Sequence, residues 1–190
     1  MFHAYPTDTW LDTPKQSFPS SLSANDFKSL FRGHPGGVAV ITADAGEGPV
    51  ALTVSSVVSV SAEPPLMIFS VSALSSASEV LSRAQTVVVH LLDAHDVDLA
   101  KFGATPGADR FDQTQLWSAL ATGEAVYNDV RAWVRCAVIN RMEVGTSTII
   151  AVHALESRVM REVQAGEPGD ALVYHNRTWH RLGEHSRHDG

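Results

Sequence analysis

Cysteine is nearly absent: Cys136 stands alone, which excludes an intrachain disulfide framework and a cysteine-rich zinc site. Long apolar runs are missing too, since none reaches the roughly 20 residues that a membrane helix needs. The first 20 residues are polar and Pro-rich and hold no apolar stretch of the signal-peptide kind. Positive charge is scarce, with 14 Lys and Arg against 21 Asp and Glu for a net charge of −7. That balance argues against nucleic acid as the main partner, which would be held by a basic face. The basic residues are scattered and form no polybasic block for a membrane surface. No G-x-G-x-x-G follows a strand pattern, and neither a Walker loop nor a G-x-S-x-G elbow occurs. The expectation is a soluble cytoplasmic protein with neither nucleic acid nor membrane as partner.

The 190 residues fit one domain. A chain of that size buries about 70% of its unfolded surface, enough for a core without covalent help. Residues 1–22, with Pro6, Pro14 and Pro19, read as an irregular arm, residues 23–183 as the domain and residues 184–190 as a tail. Ser23 is placed to cap a short helix with Phe27, Leu30 and Phe31 on one face, broken by Gly33, Pro35, Gly36 and Gly37.

Beyond that the pattern is mostly β. Strands are expected over Val38–Ala43, Val50–Val54, Val57–Val60, Leu66–Val71 and Thr86–Leu92, with a turn at Gly46–Pro49. The stretch Trp133–Val144 alternates: Val134, Cys136, Val138, Met142 and Val144 take one face, Arg135, Arg141 and Glu143 the other. Thr148–Val159, Ala171–His175 and Thr178–Leu182 bring the total to about eight strands. Short helices are expected at Ser75–Ala84 and Val97–Phe102. Hairpin-length turns argue against a doubly wound parallel sheet. A closed or nearly closed antiparallel barrel would remove the exposed edges that so many strands create.

Nine histidines raise the question of a metal, but His175, His180, His185 and His188 fall in the last strand and the tail, where no rigid scaffold gathers them. No metal site is expected. Cys136, on an apolar strand face that carries no positive charge, reads as a buried structural thiol. The positive signal is a density of small hydroxyl residues at strand ends: Thr53–Val54–Ser55–Ser56, Ser70–Val71–Ser72 and Ser75–Ser76–Ala77–Ser78. They read either as ordinary caps and turns or, with backbone N–H groups, as an anion site.

The segment Phe31–Arg32–Gly33–His34–Pro35–Gly36–Gly37–Val38–Ala39–Val40–Ile41–Thr42 resembles the opening of the flavin reductase-like family, the FMN-binding split barrels. Further pieces follow in the family's order: Leu52–Thr53–Val54–Ser55–Ser56, Ser59–Leu66, Phe69–Ser70–Val71, Lys101–Phe102–Gly103, Asp109–Arg110–Phe111, the Cys136 strand and Ala171–Tyr174. The resemblance spans about Asp26 to Leu182. It implies a mainly β split antiparallel β-barrel (Greek key) with short flanking helices, forming a homodimer. It also implies hydride transfer from NADH or NADPH to FMN or FAD, with reduced flavin passed to a flavin-dependent monooxygenase. By the same resemblance the isoalloxazine lies against Gly37, Val38 and the Thr53–Ser56 turn, with Phe102 nearby. The phosphate lies near Ser70, Val71, Ser72, Ser75, Ser76 and Ser78.

Hydride transfer asks the protein for positioning, with reacting atoms about 3–3.5 Å apart, and for no catalytic acid or base. No catalytic residue is therefore expected. The chain departs from the family at Gly145–Thr146–Ser147–Thr148, where its NADH-using members carry Gly-Asp-His. The remaining candidates for the nicotinamide contact are His34, His153 and Tyr174, and Tyr174 reads equally as a barrel-rim residue with one wet end. A second departure is the lack of Arg or Lys between Val57 and Ser82, which leaves Arg32, Arg83 or Arg110 to approach a phosphate from elsewhere. Two other readings stay open: a flavin- or deazaflavin-binding barrel without nicotinamide-dependent activity, and a non-catalytic module, for haem as one case.

Overall fold

The computed structural model describes residues 21–167 and 169–188, so the expected N-terminal arm lies almost wholly outside the described residues. Helix α1 (Ala24–Arg32) is capped by Ser23, whose Oγ accepts the Asp26 N–H at 3.1 Å. Phe27, Leu30 and Phe31 do share a face, but each is more than half exposed. Strands β1 (Gly36–Gly37), β2 (Ala39–Ala43), β3 (Val50–Val54), β4 (Val58–Ala62) and β5 (Pro65–Ser72) follow. Next come helix α2 (Ser78–Arg83), β6 (Thr86–Leu91) and helix α3 (Val97–Ala104). The short β7 (Trp117–Ala119) and β8 (Ala125–Tyr127) precede the long hairpin of β9 (Ala132–Val144) and β10 (Ser147–Val159). Strands β11 (Leu172–His175) and β12 (Thr178–Arg181) complete the described fold. None of its helices is long and apolar enough to cross a membrane.

Seven strands form one antiparallel sheet in the order β3-β2-β6-β9-β10-β5-β4. Its two edge strands, β3 and β4, are joined by only Ser55, Ser56 and Val57. A flat sheet would hold those edges about 29 Å apart, six gaps of roughly 4.8 Å. The linker spans at most about 15 Å, four Cα steps of roughly 3.8 Å. The sheet must therefore curl, and the result is a split antiparallel barrel in which β3 and β4 meet without pairing. Ser56 stitches the seam: its Oγ accepts the Ser70 N–H of β5 at 3.0 Å and donates to the Ser70 carbonyl at 3.3 Å.

Strands β2 and β6 are apolar on both faces because both are covered. Ala39, Ile41, Val87 and Val89 pack inside the barrel with Phe69, Cys136, Ile150 and Val152, and α2 adds Val80 and Leu81. The alternate residues Val38, Val40 and Val88 face a second core with Ala100 of α3, Tyr127, Trp133 and Leu172. His90 sits wholly buried in this outer layer, with Nδ1 3.0 Å from the Val40 carbonyl and Nε2 accepting the Tyr127 N–H at 3.1 Å. Burial pushes its pKa down to about 4, so the ring is neutral and serves as a structural bridge between β2 and β8. Cys136 is buried and its thiol pKa is pushed up to about 12 by burial, in keeping with a structural role.

Two expectations need correction. The alternation along β9 holds only to Val138. There the pairing with β10 shifts register, Val152 facing Val138 and Ala151 facing Asn140, so Ile139 is an extra, bulged residue. One added residue swaps the faces beyond it. Met142 and Val144 are consequently exposed, while Arg141 turns under α2 and donates to the carbonyls of Leu81, at 3.0 Å, and Ala84. The second concerns β1, β7 and β8, which sequence reading leaves out because two or three residues are too few to show a period of two. β1 matters most, since it pairs with β11 (Gly36 to Tyr174, Gly37 to Val173) and starts a second sheet, β1-β11-β12, beside the barrel.

Candidate functional site

A cavity of about 700 Å³ opens where the barrel seam, α1 and the β11–β12 hairpin come together. The seam contributes Ser55, Ser56 and Val58, and β5 contributes Ser70. Helix α1 and the segment after it bring Phe31, Arg32 and His34, and the hairpin brings Tyr174, Asn176 and Arg177. An adjoining cavity of about 200 Å³ shares Ser55 and Tyr174 and adds Val38, Thr53, Val54 and Trp179. Mixed apolar walls with a few convergent polar groups are the usual make-up of a small-molecule site.

Local sequence explains the arrangement. Gly36 lies so close to the seam that a Cβ on it would meet the Ser55 carbonyl oxygen at 2.9 Å and Ser55 Cβ at 3.1 Å. Only glycine lets β1 pass here. Thr53 Oγ1 donates to the Ala100 carbonyl at 2.8 Å, which anchors the end of β3 to α3. Ser56 is committed to the seam, whereas the hydroxyls of Ser55 and Ser70 make no hydrogen bond with other described residues and are available to a ligand. Tyr174 packs against Trp179, ring centroids 4.8 Å apart, which fixes the aromatic edge that both cavities share.

The structure thus gathers His34, Val38, Thr53, Val54, Ser55, Ser56, Ser70 and Tyr174 around two cavities that share Ser55 and Tyr174, whereas Gly37 lines a third cavity with Val38, Val57, Asp93 and Leu172. Val71 points into the barrel core, 2% exposed, so only its backbone faces outward. The later serines sit apart from both cavities and bond locally. Ser72 Oγ accepts the Leu74 N–H, Ser75 Oγ accepts the Ala77 N–H and Ser78 Oγ donates to the Ala73 carbonyl. Ser76 is exposed on the same turn. Two further residues are not brought to the two cavities at the seam. Phe102 lines a separate, mostly apolar cavity with Leu99, Leu116 and Tyr127. His153 lies on β10 between Leu66 and Ala137, four residues beyond the Ile149 that pairs with Ser70. That is about 13 Å along the strand.

Of Arg32, Arg83 and Arg110, only Arg32 reaches the cavity. Arg83 pairs with Glu47 at 3.0 Å, and Arg110 is tied to the carbonyls of Gly103 and Thr105. Sequence reading missed Lys28, Asn176 and Arg177. The signal was present for the last two: exactly two residues separate β11 from β12, and such a link is a turn whose central residues take positive φ. Asn176 has φ 48° and Arg177 φ 63°, and the Asn176 N–H donates to the Arg32 carbonyl at 3.0 Å. The turn is thereby fixed to the end of α1.

Comparison with known proteins identifies the family. Residues 31–183 match the sequence family described as flavin reductase like domain. An NADH:FMN oxidoreductase of Rhodococcus qingshengii is 36% identical over 183 residues, which cover 94% of each chain. A flavin reductase domain protein from Arthrobacter sp. FB24 superimposes with a TM-score of 0.75 at 28% identity, over 83% of this chain and 94% of that one. BorF, the flavin reductase component of a bacterial two-component tryptophan halogenase, gives 0.72 at 27% identity over 84% and 98%. With its closed seam, its hydroxyl-lined cavity and a family match running through nearly all of the described fold, the chain belongs to the flavin reductase-like family.

Proposed function

We propose that this chain is an NAD(P)H:flavin oxidoreductase that reduces FMN or FAD taken up from solution. The observation that carries the proposal is the 36% identity to an NADH:FMN oxidoreductase along 94% of both chains. The site fits a flavin on its own terms. Its volume lies within the roughly 300–1,000 Å³ of small-molecule pockets, and the Ser55 and Ser70 hydroxyls supply unused donors. When bound, a reduced nicotinamide supplies a hydride, two electrons with one proton, to the flavin.

The chain's own residues position and shield. The Thr53–Ser56 segment would hold the flavin through its backbone groups and the Ser55 hydroxyl, the hydroxyls of Thr53 and Ser56 being engaged with Ala100 and Ser70. Val38, Val58, Phe31 and Tyr174 supply apolar surface that excludes water. His34 and Tyr174, which line the cavity, are the residues assigned here to the nicotinamide contact, a role the Gly145–Thr146 turn leaves open to them. No side chain need exchange a proton at the carbon that gives up the hydride.

Under the same reading the protein is a cytoplasmic homodimer that hands reduced flavin to a flavin-dependent oxygenase. The exposed apolar residues of α1 and of the β9–β10 hairpin, Met142 and Val144 among them, support pairing of two copies. The resemblance to BorF supports a partner enzyme. Ser56→Asp tests the site. It removes the seam's stitch and places a carboxylate beside the flavin, so kcat/KM for FMN should fall at least about tenfold, the equivalent of roughly 1.4 kcal/mol. Unchanged kinetics would remove this seam from the reaction.

A further inference from the structure

The chain carries a net charge of −7, yet among the described residues no Asp or Glu lines the 700 Å³ cavity. Three cations do: Lys28 and Arg32 from α1, and Arg177 from the β11–β12 turn. None of the three forms an ion pair among the described residues, although Arg83, Arg135, Arg161 and Arg181 all do. Their placement runs against local preference in two ways. Lys28 and Arg32 stand four apart on one helix, an arrangement that is repulsive for like charges. Arg177 occupies a left-handed conformation, φ 63°, that side chains other than glycine, asparagine and aspartate rarely adopt. The hydrogen bond from the Asn176 N–H to the Arg32 carbonyl then pins that turn to the helix, so Arg32 and Arg177 are held at one mouth.

We propose that Lys28, Arg32 and Arg177 bind a phosphate group of the nucleotide that enters this cavity, the 5′-phosphate of FMN or a phosphate of the nicotinamide dinucleotide. The inference rests on the flavin reductase reading for the identity of the nucleotide. A phosphate would relieve the repulsion within the cluster, and two guanidinium groups are suited to its oxygens because each offers paired donors in a fixed fork. The unused Ser55 and Ser70 hydroxyls line the same space and can add neutral donors. The serine-rich turn from Ser72 to Ser78 makes local hydrogen bonds instead, which places phosphate recognition on cations far from it in sequence.

Calorimetric titration of the wild type and of Arg32→Gln/Arg177→Gln with FMN, riboflavin, NAD+ and NADP+ tests the proposal. Loss of charge-assisted bonds should weaken at least one phosphate-bearing nucleotide by about tenfold or more, with riboflavin unchanged. Weakening of FMN alone assigns the cluster to the flavin phosphate. Weakening of NAD+ or NADP+ assigns it to the dinucleotide, and a larger effect on NADP+ assigns it to the extra phosphate. Equal affinities in both proteins, an equal loss for riboflavin and FMN, or no binding of any nucleotide by the wild type would overturn it. Should the double variant melt before it can be titrated, Lys28→Gln carries the same expectation with a smaller loss, about threefold, since the exposed Lys28 makes no side-chain hydrogen bond or ion pair among the described residues. A wild type that binds these ligands through the cluster but never oxidises NADH or NADPH would leave the cluster standing and remove only the reductase reading.

Discussion

Replacing Arg161 by Met should lower the stability of this protein by about 3 kcal/mol, the lower end of the cost of removing one partner from a buried ion pair. The guanidinium joins two nearly buried carboxylates: Nε lies 2.8 Å from Asp93, and Nη2 lies 3.1 Å from Asp93 and 2.5 Å from Asp96. Its Nη1 also donates to the Asp129 carbonyl at 2.9 Å. Asp93 and Asp96 are 5% and 7% exposed and sit at the exit of β6, where they also accept the backbone N–H groups of His95 and Arg131. Burial alone would push the Asp93 carboxyl up. The hydrogen bonds from Arg161 and from the His95 N–H, with the arginine charge, outweigh it and hold that pKa below the usual carboxylate range.

A depressed carboxylate contributes stability that is fully present above its unfolded pKa, about 3.8, and is lost as pH falls through its lower folded value. Arg161→Met should therefore melt about 6–12 °C below the wild type near neutral pH, at roughly 2–4 °C per kcal/mol for a chain of this size. The gap should narrow below pH 3.8. Equal melting temperatures at pH 7 would show that the cluster is not a structural tie. Arg161, Asp93 and Asp96 line neither of the two cavities at the seam, so flavin affinity at low temperature should be little changed.

Gly36→Val should act in the opposite way, with a larger effect on function than on the fold. The added Cβ would stand 2.9 Å from the Ser55 carbonyl oxygen, a backbone atom that cannot swing aside as a side-chain tip can. Either β1 leaves its pairing with Tyr174 or the seam moves away from the cavity. A displacement near 1 Å at a positioning element costs on the order of 100-fold in rate. Steady-state reduction of FMN should fall by about 10–100-fold in kcat/KM, while the barrel interior, packed on other residues, retains its cooperative unfolding. Wild-type kinetics in this variant would mean that contact between β1 and Ser55 plays no part in the site.

Much of this architecture was legible in the sequence because the signals are local. Ser23 caps α1, the Gly46–Pro49 turn falls between β2 and β3, and the long alternation before Val138 marks β9. The barrel closure can be argued afterwards from three residues, Ser55 to Val57, but only once the strand order is known. What escaped was non-local. The Ile139 bulge depends on pairing with β10, and a one-residue slip there reversed the expected faces of Arg141 and Met142. The hydroxyl clusters were visible, yet sequence could not separate Ser55 and Ser70, whose hydroxyls stay unused, from Ser72 and Ser75, whose oxygens close their own turns. His153 was a candidate by residue type alone, and strand geometry sets it about 13 Å from the Ser70 level. Lys28 and Arg177 are some 150 positions apart and carried no shared motif; a hairpin turn pinned to a helix end joins them.

The most direct test of the reductase reading is anaerobic mixing of the wild-type protein with equimolar FMN and a small excess of NADH, then with NADPH, followed at the oxidised-flavin absorbance band. The expected result is rapid bleaching of that band, far faster than in buffer, with one nicotinamide oxidised for each flavin reduced. Flavin that binds, with its fluorescence quenched, yet is bleached no faster than in buffer would contradict nicotinamide-dependent reduction. It would favour a flavin-binding barrel that receives its electrons by another route, in line with the Gly145–Thr146–Ser147 departure.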